Sequence, residues 1–274
     1  MPSSGSEQRP RSVIVGPLTI ATVLWAAAGL VAWLALRTST GQQLDEWALQ
    51  AASTVLGAHR PHWFGLVLGA LPIAASLAVG AAILTVAMRS RRILAGATIL
   101  GMAGMSLLSV QVLKLLLLNK PDLGIQEATL NSSPSGHASL AAVAGFAWML
   151  AVPRSARGWA TTIGASLTTA IGAGTVLLGW HRPADVVAAI LVCAGWSAIA
   201  GLALPPSGGG AVGRGLGAPM IAKRTVGLGA LVAAIVLAAA PAQSPAAALV
   251  AGLLAIAATA LLAFAAIASG SRSR

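Results

Sequence analysis

Apolar runs long enough to cross a bilayer recur along most of the chain, and they constrain the fold more than any other feature. A membrane's hydrocarbon core takes about 20 residues of α-helix, since each residue rises ~1.5 Å and the core is ~30 Å thick. Runs near or above that length cover residues 13–36, 63–88, 93–118, 159–180, 183–204 and 245–268, with shorter ones at 137–152 and 225–241. In lipid, every backbone N–H and C=O must be satisfied internally, which leaves helices for runs of this kind. Only 8% of the 274 residues are charged, against about 25% in soluble domains. The expected fold is all-α: a polytopic membrane helix bundle.

The basic residues give the bundle an orientation. The net charge of +11 does not describe a nucleic-acid surface, because the positive residues fall in short clusters between apolar runs. Arg9, Arg11, Arg89, Arg91, Arg92, Arg154, Arg157, Arg214, Lys223, Arg224, Arg272 and Arg274 fall on one side of an eight-span bundle. Arg37, Arg60, Lys114, Lys120 and Arg182 fall on the other. The positive-inside rule makes the first side cytoplasmic, with both termini there.

This reading divides the chain into a polar tail (1–12), a six-span core (13–204), a Gly- and Pro-rich linker (205–224) and a two-span C-terminal extension (225–274). The first run exceeds the length of a signal-peptide core and reads as a retained span. The last two spans carry no charged side chain and are expected outside the core, where they can make oligomer contacts.

Smaller features fit the same scheme. In the polar stretch 38–62, Leu44, Trp47, Ala48, Ala51 and Val55 recur at helical spacing, which predicts a helix lying on the membrane surface. Trp63, Trp159 and Trp180 sit near span ends as interfacial aromatics do. The pairs Gly101/Gly104 and Gly172/Gly174 are expected at helix contacts. Cys193 is the chain's one cysteine, which excludes an intrachain disulfide and a cysteine metal site. His59 and His62 read as ordinary loop residues.

Three polar islands interrupt the apolar pattern, and all three fall on the side opposite the cytoplasm. Asn131-Ser132-Ser133-Pro134-Ser135-Gly136-His137 is a turn-forming stretch that runs into a span. Such a helix start offers free N–H donors and a dipole that favour an anion. Gly136 allows close approach to the backbone, and His137 can carry a proton near neutral pH. The second island, Lys114 to Asp122, supplies Lys114 and Lys120 as cations near a phosphate. The third is His181-Arg182-Pro183-Ala184-Asp185. His181 and Asp185 are four apart and share a helix face, so the carboxylate can fix one ring nitrogen and free the other as base or nucleophile. Two such groups are too few for a metal site.

In this order the islands resemble the type 2 phosphatidic acid phosphatase superfamily, which also includes vanadium haloperoxidases. The family pattern is Lys, six residues, Arg-Pro; then Pro-Ser-Gly-His; then Ser-Arg, five residues, His, three residues, Asp. Pro134-Ser135-Gly136-His137 completes the second motif, and His181 and Asp185 complete the end of the third. The resemblance covers about residues 13–204. It implies that His181 attacks phosphorus to form a phosphohistidine, that Asp185 orients it, and that His137 protonates the leaving oxygen and later activates water. Lys114, Lys120, Ser135 and the Gly136 N–H would hold phosphate oxygens, with Arg182 as a further donor, and no metal or other cofactor is called for.

Two departures stand out. The first motif reads Lys114, five residues, Lys120-Pro121, one residue short and with lysine for arginine. The Ser-Arg positions hold Gly174 and Thr175, so the motif's phosphate-binding arginine is absent. The expected function is a lipid phosphate phosphatase of the plasma membrane with an extracytoplasmic site. Its partners would be the bilayer and a polyprenyl pyrophosphate, phosphatidate or phosphatidylglycerol phosphate. The alternative is a degenerate, non-catalytic member acting as a membrane scaffold. A transporter would place its polar groups at mid-bilayer, and a Ser135 hydrolase would need a nucleophile elbow that the sequence lacks.

Overall fold

The computed structural model describes residues 11–56, 61–127, 130–204 and 244–270. Eight α-helices run through them: α1 (Arg11–Arg37), α2 (Ser39–Leu56), α3 (His62–Arg89), α4 (Ile93–Val112), α5 (Gly136–Ala151), α6 (Arg157–Leu177), α7 (Pro183–Ala203) and α8 (Pro245–Gly270). A π-helical turn, Leu113–Leu117, extends α4. Among the described residues, six helices are long and apolar enough to span a membrane, and Gly136–Ala151 is a shorter apolar helix. The chain is a multi-pass, all-helical membrane protein. The linker 205–224 and the expected span 225–241 lie outside the described residues.

α7 is the axis of the bundle, packed against α1, α4, α5 and α8. Val186, Ala189, Ile190, Cys193 and Ala194 on it are wholly buried. Lipid cannot supply a hydrophobic drive between helices, so close packing of small residues must hold them together. Gly145 of α5 and Gly164 of α6 show this directly. A Cβ on Gly145 would lie 2.6 Å from the Phe264 ring and 3.1 Å from the Gly164 Cα. Phe264 of α8 fills the space they leave and stacks on Phe146 of α5, with centroids 4.0 Å apart and planes at 11°. Gly172 and Gly174 likewise meet Val186 and Leu68 at helix contacts, as expected, whereas Gly101 and Gly104 have nothing within 4 Å of a built Cβ.

α8, expected to pack on the outside of the core, lays one face on α2, α6 and α7, with Ile256, Ala260, Ala263 and Phe264 fully buried and Val250, Leu254 and Leu261 exposed. An apolar helix without a polar stripe carries no mark of whether lipid or protein covers it. α2, expected flat on the membrane, lies against α1, α7 and α8. It buries Ala48 and Ala52 together with Gln42, Asp45 and Glu46, and leaves Val55 65% exposed. The polar residues turn inward because their partners lie on the far side of the sequence, at Arg182 and Ala184.

Candidate active site

The three islands meet at one end of the bundle, where α4 and α6 end and α5 and α7 begin. The arginine-bearing α3–α4 and α5–α6 connections lie at the other ends of these helices. Each island is shaped locally. α6 stops at Gly179, whose φ of 76° is a left-handed conformation suited to glycine. The Trp180 and His181 N–H groups then both donate to the Thr175 carbonyl, at 2.9 and 3.3 Å. His181 is thus delivered straight from a closed helix end into the first turn of α7, which Pro183 begins without an orphaned N–H.

Asp185 knits the site together. Its Oδ2 lies 3.6 Å from His181 Nδ1. The same oxygen accepts from Ser132 Oγ at 2.5 Å and from the Arg182 N–H at 3.1 Å. Its backbone carbonyl accepts from the Ser135 N–H at 3.0 Å. The second and third islands are therefore joined through one residue. Ser135 is the N-cap of α5, its Oγ accepting from the Ala138 N–H at 3.3 Å. That leaves the Gly136 and His137 N–H groups as helix-start donors.

The two histidines face each other. Their ring centroids are 6.3 Å apart, and the His137 ring also packs on Trp180 at 5.3 Å. Trp180 is 40% exposed, so it combines the expected interfacial position with a contact to the site. Lys114 lies on the π-helical turn, and its charge acts on the His137 ring. Asn131 ties this turn to the second island: its Nδ2 donates to the carbonyls of Lys114, Leu118 and Ser133 at 3.1, 3.0 and 3.1 Å. Lys120 is anchored from another direction, since Gln42 Nε2 donates to the Pro121 carbonyl at 2.9 Å and Arg37 Nε to the Asn119 carbonyl at 3.0 Å. Partial burial, and then the Arg182 charge, hold the Lys120 pKa below the usual lysine value.

Arg182, Asp45 and Glu46 are buried together beside this turn. Arg182 is 6% exposed and its Nη2 donates to Glu46 Oε2 at 3.3 Å. Asp45 Oδ1 accepts from the Ala184 N–H at 3.4 Å. Burial, and then the Asp185 charge, push the Asp45 carboxyl up to about 8. The sequence reading missed Asp45 and Glu46, and it placed Asn131 and Ser132 in the island without giving either a role. A signal existed for the first two: the chain has only six acidic residues, and a buried function accounts for an adjacent pair better than chance does. Thr175, where the motif's arginine is absent, is fully buried and donates through Oγ1 to the Gly172 carbonyl at 2.8 Å.

Residues 93–205, from α4 to the end of α7, match the family model of the PAP2 superfamily. This segment is similar to the PAP2 superfamily. All three islands lie inside the matched segment, whereas α1, α2, α3 and α8 lie outside it. No curated protein and no solved structure matches the chain. The likeness to the PAP2 superfamily supports phosphoester hydrolysis in a membrane setting.

Proposed function

We propose that this protein is a membrane lipid phosphate phosphatase that hydrolyses a phosphomonoester or pyrophosphate of a lipid through a phosphohistidine. The observation that carries the reading is the pairing of His181 with Asp185 at 3.6 Å opposite His137, whose ring centroid is 6.3 Å from that of His181. A phosphoryl group between the rings would contact both.

Asp185 lies on the Nδ1 side of His181, so the Nε2 lone pair attacks phosphorus. The P–N bond forms as the bond to the leaving oxygen breaks, and His137 gives that oxygen its proton. Water then attacks the phosphohistidine, losing a proton to His137 as the P–N bond breaks and releases phosphate. Lys114, Lys120, Arg182, the Ser135 hydroxyl and the Gly136 N–H stabilise the charge on the transferred group. The bundle's apolar faces suit a substrate whose tail stays in lipid. The basic α3–α4 and α5–α6 connections favour an extracytoplasmic site by the positive-inside rule.

Phosphate release from a panel of lipid phosphates by purified protein tests the reading. His181→Ala should abolish turnover of every substrate. His137→Ala should lose about 10²–10⁴-fold on lipid phosphates and less on an aryl phosphate whose leaving group needs no proton. Wild-type turnover by His181→Ala would end the phosphohistidine proposal. No turnover by the wild type on any lipid phosphate would favour the non-catalytic scaffold.

A further inference from the structure

We propose that Glu46 of α2 is a positioning residue that holds Arg182 as the phosphate-binding guanidinium missing from the third motif at Thr175. This deepens the phosphatase reading and rests on it. A buried arginine requires a partner for its charge, and Glu46 supplies one at 3.3 Å, with both side chains under 10% exposed. One such bond leaves most of the guanidinium unused, since it carries five N–H donors in a fixed fork. The Arg182 Nε is buried and has no hydrogen-bond partner among the described residues.

Arg182 is fixed twice. Its backbone N–H donates to Asp185 Oδ2, the oxygen nearest the His181 ring, while its side chain is held by Glu46. The Arg182 backbone and the His181 ring therefore share the Asp185 carboxylate, while Glu46 holds the guanidinium. Next to Glu46, Asp45 Oδ1 accepts from the Ala184 N–H and secures the same turn. Lys120 senses the charges of Arg182, Glu46 and Asp185, which places the first island in this electrostatic group. Thr175 contributes a backbone carbonyl to the His181 turn and no cation. In this chain the guanidinium comes from the residue after the nucleophile, and its support comes from α2, outside the family-matched segment.

The test uses the full chain in detergent, with two readouts: the affinity for inorganic phosphate, followed by phosphorus NMR, and KM and kcat on a lipid phosphate. Arg182→Ala should lose phosphate affinity. Glu46→Ala should lose on the order of 10–100-fold in that affinity, as a misplaced contact does, and raise KM by a similar factor. Glu46→Gln keeps the side-chain shape and an acceptor, so it should fold and fall between. Arg182→Lys should not restore binding, because an ammonium cannot make the fork. Wild-type phosphate affinity in both Glu46 variants would overturn the proposal, as would tighter binding in Glu46→Ala, which would make Glu46 a mask on Arg182. A wild type that binds phosphate and loses it on these substitutions, yet hydrolyses no lipid phosphate, would refute the phosphatase reading and leave the positioning role standing.

Discussion

Asp45→Asn is expected to change how the stability of this protein depends on pH. In the fold, burial first and the Asp185 charge second raise the Asp45 pKa from 3.8 to about 8, against the pull of Arg182 and the Ala184 N–H. The folded protein thus keeps a proton that the unfolded chain releases. Stability from this group is complete below about pH 4 and is lost as pH rises towards 8. The slope is about 1.4 kcal/mol per pH unit, so a shift of about four units amounts to on the order of 5 kcal/mol. Asparagine keeps an oxygen for the Ala184 N–H and does not titrate. Denaturant unfolding in detergent, repeated from pH 4 to 9, should give equal stability at pH 4. The variant's advantage should widen to a few kcal/mol by pH 8 and stay constant above. Parallel curves over the whole range would refute the argument that Asp45 is held protonated.

Phe264→Ala should cost about 3–5 kcal/mol, because the stacked ring fills the space between Gly145 and Gly164; a loss below 1 kcal/mol in a reversible unfolding assay would mean α8 is loosely docked. Ser132→Ala removes the hydroxyl that donates to Asp185 and should lower kcat about tenfold with KM little changed; an unchanged kcat would show that Asp185 needs no such anchor. For the orientation, Leu130→Cys, at a position 83% exposed on the site's end, should react with an impermeant thiol reagent in intact cells, whereas Arg91→Cys should react only after permeabilisation. The native Cys193 is buried and should contribute little background.

What could be read from sequence was local. The described spans fell where expected to within a few residues, because hydrophobicity is a property of each run by itself. The Pro134–His137 turn was legible for the same reason, as was the four-residue spacing of His181 and Asp185. What escaped depended on distant partners. Glu46 meets Arg182 across 136 residues, and Gln42 meets Pro121 across 79. The apolar spacing of Leu44, Trp47, Ala48, Ala51 and Val55 describes a helix with one oily face but not which surface covers it. Asn131 opened the most conspicuous stretch, yet its three bonds to carbonyls around Lys114 and Ser133 exist only once the loop closes. α8 is apolar on every side, so its burial could be found only from the glycines and Phe264 that lock it in place.

The contact between Gly252 of α8 and Pro183 has a consequence for how the protein is made. A Cβ on Gly252 would lie 2.5 Å from the Pro183 ring, two residues after His181. During synthesis α7 leaves the ribosome well before α8, with residues 204–244 still to come. Until α8 inserts, the turn bearing the proposed nucleophile lacks the helix that braces it. A nascent chain can therefore hold every residue of the three islands in the membrane before the turn around His181 has settled, so its maturation is timed by the last helix rather than by the motifs themselves.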